Sequence, residues 1–185
     1  MANGTLKVSN IQTSSGSGTI TLGQSGETIA LGSGATSNLL YPMFRAFLSA
    51  NQSISNNSAT KVQLDGSDID TNNAFDTSTN YRFTVPSGYA GKYAVFIVGQ
   101  FDNLGSAKVS QFRIHLNGSN YNSMLWPKYS DNNNEAFTEG SILDLSAGDY
   151  LEYYVYQNSG SSKNLRGGST ALAAESYMFG YRIGS

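Results

Sequence analysis

The chain has 185 residues, a formal net charge of −2, no cysteine and only 13 % charged residues. These figures exclude a disulfide scaffold, a zinc–thiolate site and a thiol nucleophile. Lys and Arg are scattered with no stripe that would neutralise phosphates, so nucleic acid is not an expected partner. The single Trp, 12 Tyr and 9 Phe all stand at or after Tyr41, which puts the core-forming material in the C-terminal three-quarters.

The start, Met1-Ala2-Asn3-Gly4-Thr5, lacks the basic and apolar regions of a secretory signal. No apolar run approaches the ~20 residues that span a bilayer. Synthesis in a cytoplasm and no membrane insertion are the expectation. After Thr5–Ser9 and a Gly/Ser joint comes a motif said twice at a nine-residue period, Thr19-Ile20-Thr21-Leu22-Gly23 and Thr28-Ile29-Ala30-Leu31-Gly32. Each copy alternates as a half-buried strand does. Two such strands do not enclose a core, so Ile20, Leu22, Ile29 and Leu31 need apolar partners from other copies of the chain.

A second joint leads to the aromatic-rich body, giving residues 1–38 as an arm and 39–185 as a single domain. Strands are expected at Met43–Ala50, Lys61–Leu64, Tyr81–Val85, Lys92–Phe101, Val109–Leu116, Ser141–Leu145, Tyr150–Gln157 and Ser176–Ile183. Lys92–Phe101 is nearly continuously apolar, the pattern of a strand buried on both faces. In Val109–Leu116, Phe112, Ile114 and Leu116 face one way while Arg113 and His115 face the other. Leu172–Glu175 is the one helix-leaning patch and is too short to stand alone. Many short strands with Gly-, Asn- and Asp-rich turns read as an all-β antiparallel sandwich.

Five pieces of the body resemble the C1q/TNF-like jelly roll. They are Arg45-Ala46-Phe47-Leu48-Ser49-Ala50, Asn73-Ala74-Phe75-Asp76, Phe83-Thr84-Val85-Pro86 with Gly91-Lys92-Tyr93, Leu143-Asp144-Leu145-Ser146-Ala147-Gly148-Asp149, and Ser176-Tyr177-Met178-Phe179-Gly180-Tyr181. They stand in the family's order across Met43–Ile183. Two departures are a longer Pro-to-Gly spacing through Tyr89-Ala90-Gly91 and Phe75 where the family has Tyr. The segment Leu6–Thr13 followed by Gly18–Gly23 is similar to N-termini of bacteriophage virion fibre proteins. Together the resemblances imply a homotrimer whose threefold axis would gather Ile20, Leu22, Ile29 and Leu31 into one stalk.

Catalytic chemistry finds little support. A Ser-His-Asp arrangement would need His115, the chain's one histidine, and its strand position reads as structural or surface. No nucleophile elbow or phosphate loop is present. Asp131, Glu135 and Glu139 offer carboxylates, read as members of a solvated Asn-rich turn. Asp68, Asp70 and Asn72 match the first ligand positions of a calcium loop, but Asn73 stands where the loop needs Gly and Thr79 where it closes with Glu. Turn-forming is therefore their expected role, and no metal or cofactor is expected. Tyr121, Trp126 and Tyr129 sit among amides in a pattern suited to a glycan contact or to a core or trimer-interface aromatic. Tyr154 and Tyr156 share a face near Tyr153.

The expectation is therefore an all-β, non-enzymatic structural protein of a bacteriophage virion surface. It would be a short trimeric tail or head fibre whose arm docks on other virion proteins. A capsid decoration protein and a host glycan receptor-binding tip are the alternatives.

Overall fold

The chain divides into two units, Met1–Leu39 and Leu40–Ser185. A computed structural model describes Ile11 and residues 42–105, 108–128 and 135–184, and every strand described lies in the second unit. The repeat residues Ile20, Leu22, Ile29 and Leu31 lie outside the described residues.

Thirteen strands follow in order: β1 (Met43–Phe47), β2 (Gln52–Ile54), β3 (Thr60–Lys61), β4 (Gly66–Asp70), β5 (Phe75–Asp76), β6 (Arg82–Thr84), β7 (Gly91–Phe101), β8 (Lys108–Leu116), β9 (Ser119–Lys128), β10 (Glu135–Leu145), β11 (Tyr150–Gln157), β12 (Lys163–Leu165) and β13 (Tyr177–Gly184). Sheet I runs β10–β7–β13–β1–β4, with β12 and β2 joined at the Phe101 end of β7; sheet II runs β5–β6–β11–β8–β9, with β3 also on β11. All the ladders are antiparallel and most neighbours are distant in sequence, so two Greek-key-like layers close on one core.

Alternation decides what enters that core. Tyr93, Val95, Ile97 and Phe101 of β7 are buried, as are Phe44 and Ala46 of β1, Leu143 and Leu145 of β10, and Met178 of β13. Sheet II supplies Phe83, Phe112, Ile114, Leu151, Tyr153 and Val155. The layers lock through aromatic pairs: Phe44 stacks on Phe83 at 4.3 Å between ring centroids, and Phe101 meets Phe112 edge-on at 5.7 Å. Such pairs add about 0.5–1.5 kcal/mol each beyond the area they bury. Gly99 makes room for this packing, because a Cβ there would overlap Phe112 and the Tyr153 hydroxyl.

Several strands differ from the sequence expectation in extent. β1 ends at Phe47, after which the Ser49 amide and hydroxyl both bond the Asp65 carboxylate and the chain turns. Of the expected Lys61–Leu64 strand only Lys61 pairs, in the two-residue β3, while β2, β4, β5, β9 and β12 were not anticipated. β9 is reached through Asn117 and Gly118, both at positive φ (52° and 79°), the requirement of a two-residue hairpin turn. Pro86 follows the pairing of β6, and Gly148 at φ 88° turns the chain into β11. Glu135 and Glu139 belong to β10 rather than to a solvated turn. Glu139 is buried, because its in-facing register position on an 11-residue strand overrides its polarity.

Candidate self-association face

The outer face of sheet I, directed away from the core, is the most distinctive surface of the described residues. Register aligns it in rows across the strands. Gly140 (β10), Phe96 (β7), Phe179 (β13), Arg45 (β1) and Ile69 (β4) stand side by side. The row to one side is Ile142, Ala94, Tyr181 and Met43; the row to the other is Thr138, Val98, Tyr177 and Phe47. Phe96 and Phe179 stack with centroids 4.9 Å apart and 15° between planes, and Tyr177 continues the run at 6.1 Å from Phe179. Two glycines make this flatness possible: a Cβ on Gly140 would overlap the Phe96 ring, and one on Gly66 would overlap the Phe47 ring.

This face is open to solvent. Met43, Ile69, Ile142, Tyr181 and Ile183 are exposed, and Phe96, Val98, Tyr177 and Phe179 are half-buried. A contiguous apolar face of this kind marks an interaction surface, where isolated apolar side chains would not. Its charges are compensated within the chain. Arg45 makes a 2.8 Å ion pair with Asp68, donates a 2.7 Å hydrogen bond to the Ala171 carbonyl, and lies 4.7 Å over the Tyr177 ring. Lys92 and Asp144 stand opposite each other in register.

The outer face of sheet II is different. Every second residue of β11 meets a basic partner there. Arg82 lies 4.1 Å over the Tyr150 ring, Lys61 pairs with Glu152 at 2.5 Å, His115 stacks on Tyr154 at 3.9 Å and 11°, and Arg113 sits over Tyr156. Within this layer His115 and Glu152 are buried. Burial pushes the His115 pKa below its ordinary value, against the opposing pull of the Glu152 charge. The layer is closed on itself by its own cation–π and ionic contacts. His115 is therefore a packed structural residue facing away from Phe112 and Ile114, as its strand position predicts.

The calcium-like residues serve the chain's own backbone. Asp70 accepts bonds from the amides of Ala74 and Phe75 at 2.8 and 2.9 Å, Asp68 holds Arg45, and the Asn72 amide oxygen lies 3.0 Å from the Thr71 hydroxyl. A shallow cleft of about 320 Å³ beside them is lined by Asn72, Asn73, Phe75, Asp76, Thr84 and Pro86. Among the described residues no group of three His, Cys, Asp or Glu is placed to hold a metal ion.

Of the possible glycan residues, Tyr121 is exposed at the start of β9. Trp126 stands in β9 opposite Ser110, a buried residue. Tyr129 and Asp131 lie outside the described residues. Tyr154 and Tyr156 share one face as expected, on sheet II. The continuous apolar run of β7 read as a strand buried on both faces; the rows beside it were not anticipated, because cross-strand register is not legible from one strand.

Comparison with protein-family models finds no match, and neither does comparison with curated proteins. Solved structures do match. The globular domain of zebrafish complement 1qA protein aligns with a TM-score of 0.51 and 15 % identity, over 77 % of this chain and 97 % of that one. Eiger TNF from S. frugiperda aligns with a TM-score of 0.54 and 13 % identity, over 79 % and 93 %. The PRD1 vertex protein P5 aligns with a TM-score of 0.52 and 14 % identity, over 77 % and 96 %. At these identities the likeness shows fold and nothing finer: the body is an all-β jelly roll of the C1q/TNF type.

Proposed function

We propose that the protein is a non-enzymatic structural component of a phage virion surface, assembled as a homotrimer. The observation that carries this reading is β7. Its sequence is apolar on both faces, yet within one copy the Tyr93, Val95, Ile97 and Phe101 face is fully buried while Phe96 and Val98 on the other face are only half-buried. The other face, with Phe96 and Val98 at its centre, lacks the layer that its composition calls for. A second and third copy of the same chain supply that layer, and the internal pairing of Arg45 with Asp68 lets identical faces approach without unpaired charge.

In this reading residues 39–185 form the heads. Residues 1–38 form the arm that docks on other virion proteins, with Ile20, Leu22, Ile29 and Leu31 sharing a threefold stalk core. The likeness to PRD1 vertex protein P5 supports placement on a particle surface, as a short fibre or a decoration protein. Sedimentation of the full chain is expected to give three times the monomer mass, and electron imaging of virions carrying the protein is expected to show threefold surface projections. A monomer at micromolar concentration overturns the trimer; absence of the protein from purified virions overturns the placement.

A further inference from the structure

The cleft of about 320 Å³ at the β5–β6 border combines apolar side chains, amides and a hydroxyl in its lining. Its size is at the small end of ligand pockets. Phe75 and Val85 are its buried members, and Phe75 packs on the core ring of Phe44 at 5.5 Å between centroids. Pro86 adds a half-buried apolar ring, while Asn72, Asn73 and Thr84 supply neutral polar groups.

The walls are held by bonds of the chain itself. The Asp70 carboxylate accepts the amides of Ala74 and Phe75, at 2.8 and 2.9 Å. The Thr84 amide donates to the Ala74 carbonyl and the Val85 amide to the Asp149 carbonyl, both at 2.8 Å. A cleft fixed in this way costs little ordering when it is filled.

The polar groups of the lining fall into two sets. Asp76 is spent: its carboxylate accepts the amides of Ser78, Thr79 and Asn80, the Ser78 hydroxyl and the Asn80 side-chain amide. The Asn73 side-chain amide and the Thr84 hydroxyl, by contrast, enter no hydrogen bond among the described residues. Asn72 uses only its oxygen, which accepts from the Thr71 hydroxyl. No Lys, Arg or His lines the cleft, so an anion meets no counter-charge there. A cation finds both carboxylates, Asp70 and Asp76, already engaged. A peptide strand added to the β5 edge lacks partners too, because the Ala74 and Phe75 amides are spent on Asp70.

We propose that this cleft binds one neutral sugar ring of a glycan, non-covalently. A sugar hydroxyl both donates and accepts, which matches the two amides and the Thr84 hydroxyl. The C–H face of the ring matches Phe75 and Pro86. β5 and β6 belong to sheet II, so the cleft lies outside the sheet I face, and sugar binding does not depend on the trimer reading. Tyr121 stands on β9, at the other end of the sheet II order from β5.

Saturation-transfer difference NMR on the full chain tests this, with glucose, galactose, mannose, N-acetylglucosamine and galacturonic acid as probes. At least one neutral sugar is expected to take up saturation from the protein. Thr84→Val suits a strand, and Asn73→Gly suits the positive φ of 49° at that position. Each is expected to weaken binding about threefold, and the two together about tenfold, the loss of one and two hydrogen bonds. Tyr121→Ala is expected to bind as wild type does. Thermal unfolding matching wild type shows that the variants fold, and Thr84→Val carries the test alone if Asn73→Gly does not. No uptake by any neutral probe overturns the site, and wild-type binding by the variants places the sugar elsewhere. Tighter binding of galacturonic acid than of galactose, which lacks only its carboxylate, makes the ligand an anion and overturns the neutral class.

Discussion

The Phe96 ring covers Gly140 on the neighbouring strand, in the space that a Cβ would need. A side chain at 140 must lift that ring, and because Phe96 lies on the open face of its copy, the ring has somewhere to go. Gly140→Val is therefore expected to leave the head folded, with valine well suited to a strand, while breaking the flat Phe96–Phe179 stack. Assembly should weaken by about tenfold or more, the equivalent of ~1.4 kcal/mol. Sedimentation across a dilution series measures this, and unchanged dissociation would remove Phe96 from the contact.

Acid sensitivity follows from His115. Burial against Tyr154 lowers its pKa in the folded protein below the unfolded value of 6.5. A histidine with a lowered folded pKa contributes stability fully above its unfolded pKa. That contribution is lost as pH falls below about 6.5 towards the folded pKa, with a slope of at most about 1.4 kcal/mol per pH unit for one proton. The denaturant midpoint should therefore drop between pH 7 and pH 5 in wild type. In His115→Phe, which keeps a ring to lie on Tyr154, the drop in that window should shrink. Equal slopes in the two proteins would show that His115 is not the group responsible.

What the sequence disclosed was the pattern within strands; what it withheld was the pairing between them. β7, with its continuous apolar run, and β8, β11 and β13 carry long apolar patterns, and each lies within two residues of its expected bounds. Short edge strands such as β2, β5 and β12 hold two or three residues each, too few for periodicity to register. β9 was missed although Asn117-Gly118 is a strong hairpin signal. Glu139 was misread because a carboxylate near an Asn run looks solvated, whereas register alone buries it. The sheet I face was half-visible: the nearly continuous apolar run of β7 read as a strand buried on both faces, but only register places Gly140, Phe179, Arg45 and Ile69 beside Phe96.

Asp76 organises the loop that leads into β6. Its carboxylate accepts the amides of Ser78, Thr79 and Asn80 at 2.9, 2.9 and 3.0 Å and the Asn80 side-chain amide at 2.8 Å. The bond from Thr79 is the leading cause that holds its pKa far below the ordinary carboxylate value. The depressed folded pKa means that its contribution is present above about pH 4, the unfolded value, and is lost as pH falls through the acid range. Asp76→Ala is expected to cost about 1–3 kcal/mol at neutral pH. It should also raise amide hydrogen exchange at Ser78, Thr79 and Asn80, and unchanged exchange there would show that the loop holds without the carboxylate.

Gln157 ends β11 as a fully buried amide, and all its bonds go to other segments. Its Nε2 donates to the carbonyls of Ile54 and Ser161 at 3.0 and 2.9 Å, and its Oε1 accepts the Ser159 amide at 2.7 Å. One side chain thereby ties β2 and the connection toward β12 to the end of sheet II, at the point where the two sheets meet. Gln157→Leu keeps roughly the volume but leaves two carbonyls and one amide without their partner, each a desolvation cost of about 1–3 kcal/mol where water cannot replace it. Gln157→Glu keeps the acceptor and loses both donations, so it should be at least as harmful at neutral pH and partly rescued in acid, where the protonated carboxyl regains a donor. Equilibrium unfolding of the two variants at pH 7 and pH 5 separates these effects. A Glu variant whose deficit does not narrow at the lower pH would show that the donated bonds to Ile54 and Ser161 are not what hold the junction.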